Sequence, residues 1–388
     1  MSDLCRDAAL TAVNVLRKYA AEVDDQARFP VESFAALRET GLLGLVVPTE
    51  YGGAGAGLDS YVDVAQVLGG GCLSTALAWV MHCQQTDAIA RFGGPQLRER
   101  VLPRVARGEL YIASVTTERG KGGHLLSAEA PLSVSDGGRL RIERDAPVVT
   151  GASDAEGFLI TMKESADMPA HAVSLVYADR DALSVTETGE WNTLGMRGTR
   201  SLGVRLSGEV PADQVVGGSG GFREVAVESM IPMAHLGWSA CWLGAARAAL
   251  SELIASLRGP RRRGPDTDSE LVRERLARIR IDLELTSGYL NRVQQEVSAA
   301  RVENRSLGET VVQIHLNTLK VAASELTYQA ADRMVQFAGL AAGYSKTSSL
   351  PVERTFRDLR AASLNYANDR LLTATGSLML LDRSVVLG

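Results

Sequence analysis

Cysteine is scarce in this chain: Cys5, Cys72, Cys83 and Cys241 stand far apart, with no Cys-x-x-Cys pair. Such scatter offers neither a disulfide framework nor a thiolate metal centre, and suits small buried thiols in a reducing compartment. None of the five histidines falls at metal-ligand spacing, so no metal site is expected. Strong charge of either sign is also missing. A formal net charge of −5 gives no reason to expect nucleic acid or an anionic membrane as partner. The opening residues MSDLCRDAAL carry acids and lack a basic segment followed by an apolar run. No uninterrupted apolar stretch reaches the ~20 residues that span a bilayer. A cytosolic protein is the expectation. Internal repeats and low-complexity tracts are absent as well.

What remains is ordinary globular composition, 45% hydrophobic and 22% charged, spread over 388 residues. That length predicts two or three packed units rather than one core. Up to about residue 107 the apolar spacing is helical, as at Val13, Leu16, Ala20 and Val23. The glycine-rich break PTEYGGAGAG interrupts it, and LSTALAWVMHCQQTDAIARFG reads as a buried helix ending at Gly93. Near Leu110 the pattern changes to short alternating segments, namely YIASVTT, PLSVS, RLRIER, GFLITMK, AVSLVYA and SLGVRLSG. Long helical patterns then occupy 222–258, 268–302, 309–339 and 351–385. The predicted fold class is α+β and multidomain: an N-terminal helical domain (1–109), a middle antiparallel β-domain of barrel or sandwich type (110–217) and a C-terminal four-helix bundle (218–388).

Three segments carry a resemblance. GLLGLVVPTEYGGAGAG (41–57), TLGMRGTRSLGVRLSGEVPADQVVG (193–217) and LPVERTFRDLRAA (350–362) occur in this order. Together they resemble the acyl-CoA dehydrogenase superfamily, flavoenzymes with the same sequence of domains. The resemblance covers nearly the whole chain and implies FAD as cofactor. The family's Thr-Glu-Pro-Gly-x-Gly-Ser-Asp loop is matched by Thr117-Glu118-Arg119-Gly120-Lys121-Gly122-Gly123-His124. Its glycines bring backbone N–H groups close to flavin and pyrophosphate without an intervening side chain. The family's Trp-Ile-Thr/Ser-Asn-Gly segment becomes Val148-Val149-Thr150-Gly151-Ala152. Thr150 keeps a hydroxyl for flavin N5, Val149 stands beside it, and the stacking Trp is lost unless Trp191 or Trp79 replaces it. In the C-terminal region, LRGPRRRG supplies Arg258 and Arg263 in place of a pyrophosphate-reaching Arg-x-x-Phe-Gly element. Gln336-Phe337-Ala338-Gly339 resembles the turn that touches the adenosine end, so Gln336 and Gly339 join the cofactor candidates. Because family members complete each FAD site across a subunit interface, a homotetramer or homodimer is implied.

The resemblance also exposes a gap. Dehydrogenation of an acyl thioester needs a carboxylate for the α-proton while hydride goes to the flavin. Carrying the register forward from Arg357-Asp358 puts Asn365 or Tyr366 where the family has its glutamate, and the nearest carboxylate is Asp369. The alternative family position lands on Ala234, beside His235. The candidates for acid–base work are therefore His235, Tyr366 and Asp369, with Trp238, Trp242 and Met233 as pocket or core. Three functions follow from the resemblance. The first is FAD-dependent α,β-oxidation of an acyl thioester carried by CoA or an acyl carrier protein, with an electron-transfer partner. The second is a monooxygenase on the same scaffold, fed by a flavin reductase. The third is a catalytically silent flavin-binding homologue.

Overall fold

A computed structural model describes residues 3–120, 124–258, 266–383, 385 and 387. Helices α1 (Asp3–Gln26), α2 (Val31–Glu39), α3 (Leu58–Gly69), α4 (Leu73–Phe92) and α5 (Pro95–Ala106) come first. Along α1 the buried set Ala9, Val13, Leu16, Ala20 and Val23 follows the helical period, which is the face packed on α2 and α3. Helix α4 is buried on nearly all sides and stops where the Gly93 N–H bonds to Ile89 O and Pro95 starts α5.

Two sheets follow. Strands β1 (Ile112–Val115), β2 (Ser133–Val134), β3 (Leu140–Ala146), β4 (Gly157–Lys163), β5 (Val173–Asp179), β6 (Leu183–Thr188), β7 (Gly203–Val210) and β8 (Val215–Val216) divide as β1-β4-β5-β8 and β2-β3-β7-β6. Every pair is antiparallel except β1–β4, which runs parallel with Ile112 opposite Gly157. The domain is thus antiparallel as expected apart from this one pair. The connection from β1 to β4 passes through β2 and β3 of the other sheet, the kind of crossover that parallel pairing needs.

The short helix α6 (Phe222–Val225) and a wide π-turn (Ala226–Met230) lead into α7 (Ile231–Leu257). Helices α8 (Glu270–Val302) and α9 (Thr310–Gly339) pack beside it. The span 222–257 is long and apolar enough to cross a bilayer by composition, yet α7 carries core residues packed against α3, α4 and α9. Its approach to α3 is so close that a Cβ on Gly244 would lie 2.0 Å from Gln66 O. The fourth long helix expected over 351–385 is two helices, α10 (Val352–Arg360) and α11 (Asn368–Met379). Between them Tyr366 sits at φ 54°, a left-handed conformation that ends helical continuity.

Candidate active site

One cavity of about 1480 Å³ opens between the β-domain and the C-terminal helices. Helical spacing decides which side chains face it. Leu77, Met81 and Gln84 come from α4, Ile231, Ala234, His235 and Trp238 from α7, Gln313 and Asn317 from α9, and Leu371, Ala374 and Leu378 from α11. The β-domain adds Ser114, Thr117, Val148, Thr150 and Ser201.

The two segments assigned to flavin form one wall. Thr117 Oγ1 donates to Val148 O at 2.7 Å and accepts the Val148 N–H at 3.3 Å. Behind this wall Arg144, its side chain 0% exposed, pairs with Glu118 at 2.7 Å, and Arg144 Nη2 donates to Thr117 O at 3.0 Å. Glu118 also accepts the Ala130 and Glu129 N–H groups, so a buried ion pair fixes the start of the loop. Gly122, Gly123 and Lys121 lie outside the described residues.

Thr150 is held by backbone bonds on either side, Val149 N–H to Leu202 O and Gly151 N–H to Thr199 O. Its hydroxyl belongs to a chain: Thr150 Oγ1 is 3.0 Å from Ser201 Oγ, Ser201 donates to Thr199 Oγ1, and Thr199 donates to Met196 O. A carbonyl can only accept, so the protons run in order from Thr150 through Ser201 and Thr199 to Met196 O, and Thr150 donates to Ser201. Thr150 therefore presents an acceptor to the cavity. Val149 does not share the role expected for it: its side chain is packed in the core and its N–H is committed to Leu202. Of the two tryptophans considered as covers, Trp79 is fully buried against Leu42 O, whereas Trp191 lines the cavity and donates to Met196 O. Val148 remains 41% exposed.

The three acid–base candidates separate clearly. Asp369 is exposed on α11 and does not line the cavity, because the break at Tyr366 turns the next helix so that Arg370 and Leu371 face inward instead. Tyr366 lines the cavity, but burial pushes its phenol further above the usual 10.0. His235 also lines it, 3% exposed, with Nδ1 3.0 Å from Leu316 O. Because that carbonyl must accept, the proton is on Nδ1 and Nε2 keeps its lone pair. Burial, aided by the Lys320 charge, lowers the pKa of His235 to about 3, so the ring is neutral and weakly basic. The neutral-range acid–base role expected from its ordinary pKa is corrected accordingly. Met233 and Trp242 are core residues, while Trp238 lines the cavity.

Two residues escaped sequence reasoning. Lys320 on α9 is 0% exposed, and its ammonium donates to Tyr366 O at 2.9 Å and Asn368 Oδ1 at 2.7 Å, holding the loop that carries Tyr366. Burial brings its pKa down to about 7. A lone lysine in the apolar stretch HLNTLKVAAS is the signal that could have found it. Glu224 is the single carboxylate lining the cavity among the described residues, and it is exposed on α6 beside Arg223. The segments outside those residues contain no Asp or Glu.

Buried neutral histidines couple stability to pH. In the unfolded chain His235 takes up a proton below its ordinary 6.5, while the folded chain resists until about 3. The stability it contributes is complete above pH 6.5 and is lost as pH falls toward 3, at about 1.4 kcal/mol per pH unit. His82, lowered to about 4, adds the same trend over a narrower range. Urea unfolding between pH 7 and 5 should show this slope, and His235→Gln should flatten it by about one proton's worth. An identical slope in that variant would contradict the neutral, buried assignment.

The cofactor candidates at the far end lie elsewhere. Arg258 is exposed at the end of α7, Gln336 is exposed and bonded to Asp332, and Gly339 is exposed at φ 72°. None of these three lines the cavity, and Arg263 lies outside the described residues.

Comparison with known proteins agrees with this architecture. Residues 3–109 match the model of the acyl-CoA dehydrogenase N-terminal domain and residues 216–365 that of its C-terminal domain. A probable acyl-CoA dehydrogenase of Bacillus subtilis, YngJ, is 24% identical over 358 residues, covering 91% of this chain and 90% of that protein. Among solved structures, FMN-bound TdsC from Paenibacillus sp. A11-2 superposes with a TM-score of 0.87 at 21% identity, covering 98% of both chains. Butyryl-CoA dehydrogenase from Megasphaera elsdenii gives 0.86 at 19% identity, covering 98% of this chain and 99% of that one. With both terminal domains matched and the helical, β and helical regions in the same order, the chain belongs to the acyl-CoA dehydrogenase superfamily of flavin-dependent oxidoreductases.

Proposed function

We propose that this protein is a reduced-flavin-dependent monooxygenase on the acyl-CoA dehydrogenase scaffold. The observation that carries the reading is the composition of the cavity wall: among the described residues its one carboxylate, Glu224, is exposed at α6, and the residues His235, Asn317, Trp238 and Gln84 are uncharged. Removal of an α-proton calls for a buried carboxylate or a comparably strong base. TdsC, a dibenzothiophene monooxygenase, has the same fold, which supports the reading at the level of fold alone.

The wall suits a flavin. Thr150 offers an acceptor, which matches a ring bearing N–H, and Trp191 offers an aromatic face. When bound, reduced flavin supplies the two electrons with which O₂, taking up two protons, yields one oxygen atom on the substrate and one water. The chain's own contribution is positioning. Thr117 and Thr150 hold the ring edge, His235 Nε2 accepts a hydrogen bond without carrying charge, and Leu77, Met81 and Ile231 add apolar surface to the wall. FAD rather than FMN is part of the proposal. Its adenosine half would then rely on Gln336, Gly339 and Arg258 of a second copy in a homodimer or homotetramer, and its electrons on a flavin reductase.

A second reading keeps one specific support. Oxidation of an acyl thioester, bound to CoA or a carrier protein, would use Glu224 as base, since it does line the cavity, and YngJ is a probable dehydrogenase. The test is to load the protein with flavin and offer acyl thioesters without oxygen. The monooxygenase reading expects the yellow colour to persist there, and expects oxygenated product only with a reductase, NAD(P)H and O₂. Anaerobic bleaching by an acyl thioester would instead establish dehydrogenation. In either case Thr150→Val should weaken flavin retention roughly fivefold while the fold survives, because one hydrogen bond of about 1 kcal/mol is lost. Unchanged affinity and spectrum would remove Thr150 from the flavin wall.

A further inference from the structure

The inner end of the cavity contains polar groups that the protein leaves uncommitted. Asn317 is 6% exposed and lines the cavity, and its side-chain amide makes no hydrogen bond among the described residues. His235 stands next to it, since its Nδ1–H is donated to the carbonyl of Leu316, the residue before Asn317. That leaves Nε2 as the lone-pair acceptor of this cavity-lining ring, with no donor bonded to it among the described residues. Trp238 is one turn further along α7, its ring 6.0 Å from that of His235, and its indole N–H has no partner. Asn365 Nδ2, on the loop that Lys320 holds, is likewise buried and unpaired.

Such groups are costly to bury against hydrocarbon, because each loses water without a replacement bond. A saturated acyl chain lying here would leave all of them unsatisfied. A charged ligand group fares no better at this end, where the lining residues of α4, α7 and α9 are uncharged: the arginines of the wall, Arg223, Arg357, Arg360 and Arg370, come from α6, α10 and α11, and the Lys320 ammonium is already given to Tyr366 O and Asn368. What satisfies the set is a neutral group that donates to His235 Nε2 while also accepting from Asn317 or Trp238.

We propose that His235 and Asn317 form the substrate-recognition site of this cavity and select a neutral substrate bearing an O–H or N–H donor, as in a phenol or an indole-type N–H. The inference deepens the oxygenase reading by naming the substrate class, and it rests on that reading only for the use made of the bound molecule. Both residues act here by positioning.

The test compares 2-naphthol with 2-methylnaphthalene, two ligands of nearly one shape that differ by the donor. Binding is measured by fluorescence and calorimetry, with and without added FAD or FMN. The wild-type protein should prefer the naphthol by roughly tenfold or more, and Asn317→Leu and His235→Phe should each cut the preference to about threefold or less. Circular dichroism establishes which variants fold, and the wild-type comparison decides the matter even if neither does. Equal binding of both ligands by the wild type, or folded variants that keep the full preference, would overturn the inference. If no flavin is taken up yet the preference holds, the oxygenase reading falls and the recognition site stands. If flavin binds and the preference is absent, the recognition site alone falls.

Discussion

Gly195→Ala should destabilise the folded chain by about 3 kcal/mol or more, although the change adds one methyl group at a surface-proximal turn. An ideal Cβ there would lie 2.0 Å from Arg357 O, 2.3 Å from Arg357 C and 2.6 Å from Asp358 N. All three are backbone atoms of α10, so no side-chain rotation relieves the contact and α10 itself must move. The displaced elements carry much of the inter-domain contact. Met196 N–H bonds to Asp358 Oδ1 at 2.5 Å, and Arg357 reaches Leu194 O, Asp24 and Glu353. Arg357 also lines the cavity, so the strain spreads to the site. Calorimetry should record a fall in Tm of at least about 5 °C, and a Tm within about 1 °C of the parent would contradict the packing described.

Arg144→Met should have a comparable effect for a different reason. Arg144 and Glu118 are 0% and 7% exposed, and removing one partner leaves the other charge buried. Breaking such a pair costs roughly 3–5 kcal/mol, whereas replacing both charges is far milder. Because Arg144 also supports Thr117 O, the variant should lose flavin as well as stability. Adding Glu118→Gln should restore a large part of the stability, which a double-mutant cycle measures. A single variant that keeps both its urea midpoint and its flavin would exclude a buried ion pair as the support of this loop.

The order of helical, β and helical regions was legible because periods of 3.6 and 2 residues are properties of the sequence itself. Two of the three motifs that carried the family resemblance also find a physical explanation, since the 194–196 turn and the Arg357-Asp358 pair meet with Asp24 of α1 in one ion-paired clamp. Helical phase after a break was not legible. Counting from Asp358 to Asp369 cannot anticipate the left-handed Tyr366, which sends Asp369 outward and Arg370 inward. Nor does a histidine's ordinary pKa reveal that burial will keep His235 neutral. The strand β6 was missed because half of its residues are exposed and polar, so its alternation stops short of a clear apolar face. Asn317 gave no signal at all: an asparagine on a long helix is unremarkable until its neighbours are known to leave it without a partner.

We propose that this cavity operates without a base for α-proton removal. Incubating the flavin-loaded protein with hexanoyl-CoA in D₂O under anaerobic conditions, and following the α-protons by NMR, tests it most directly. The account predicts no deuterium uptake at the α-carbon above the enzyme-free rate. Exchange that is rapid in the wild-type protein and abolished by Glu224→Gln would contradict it and make this chain a dehydrogenase.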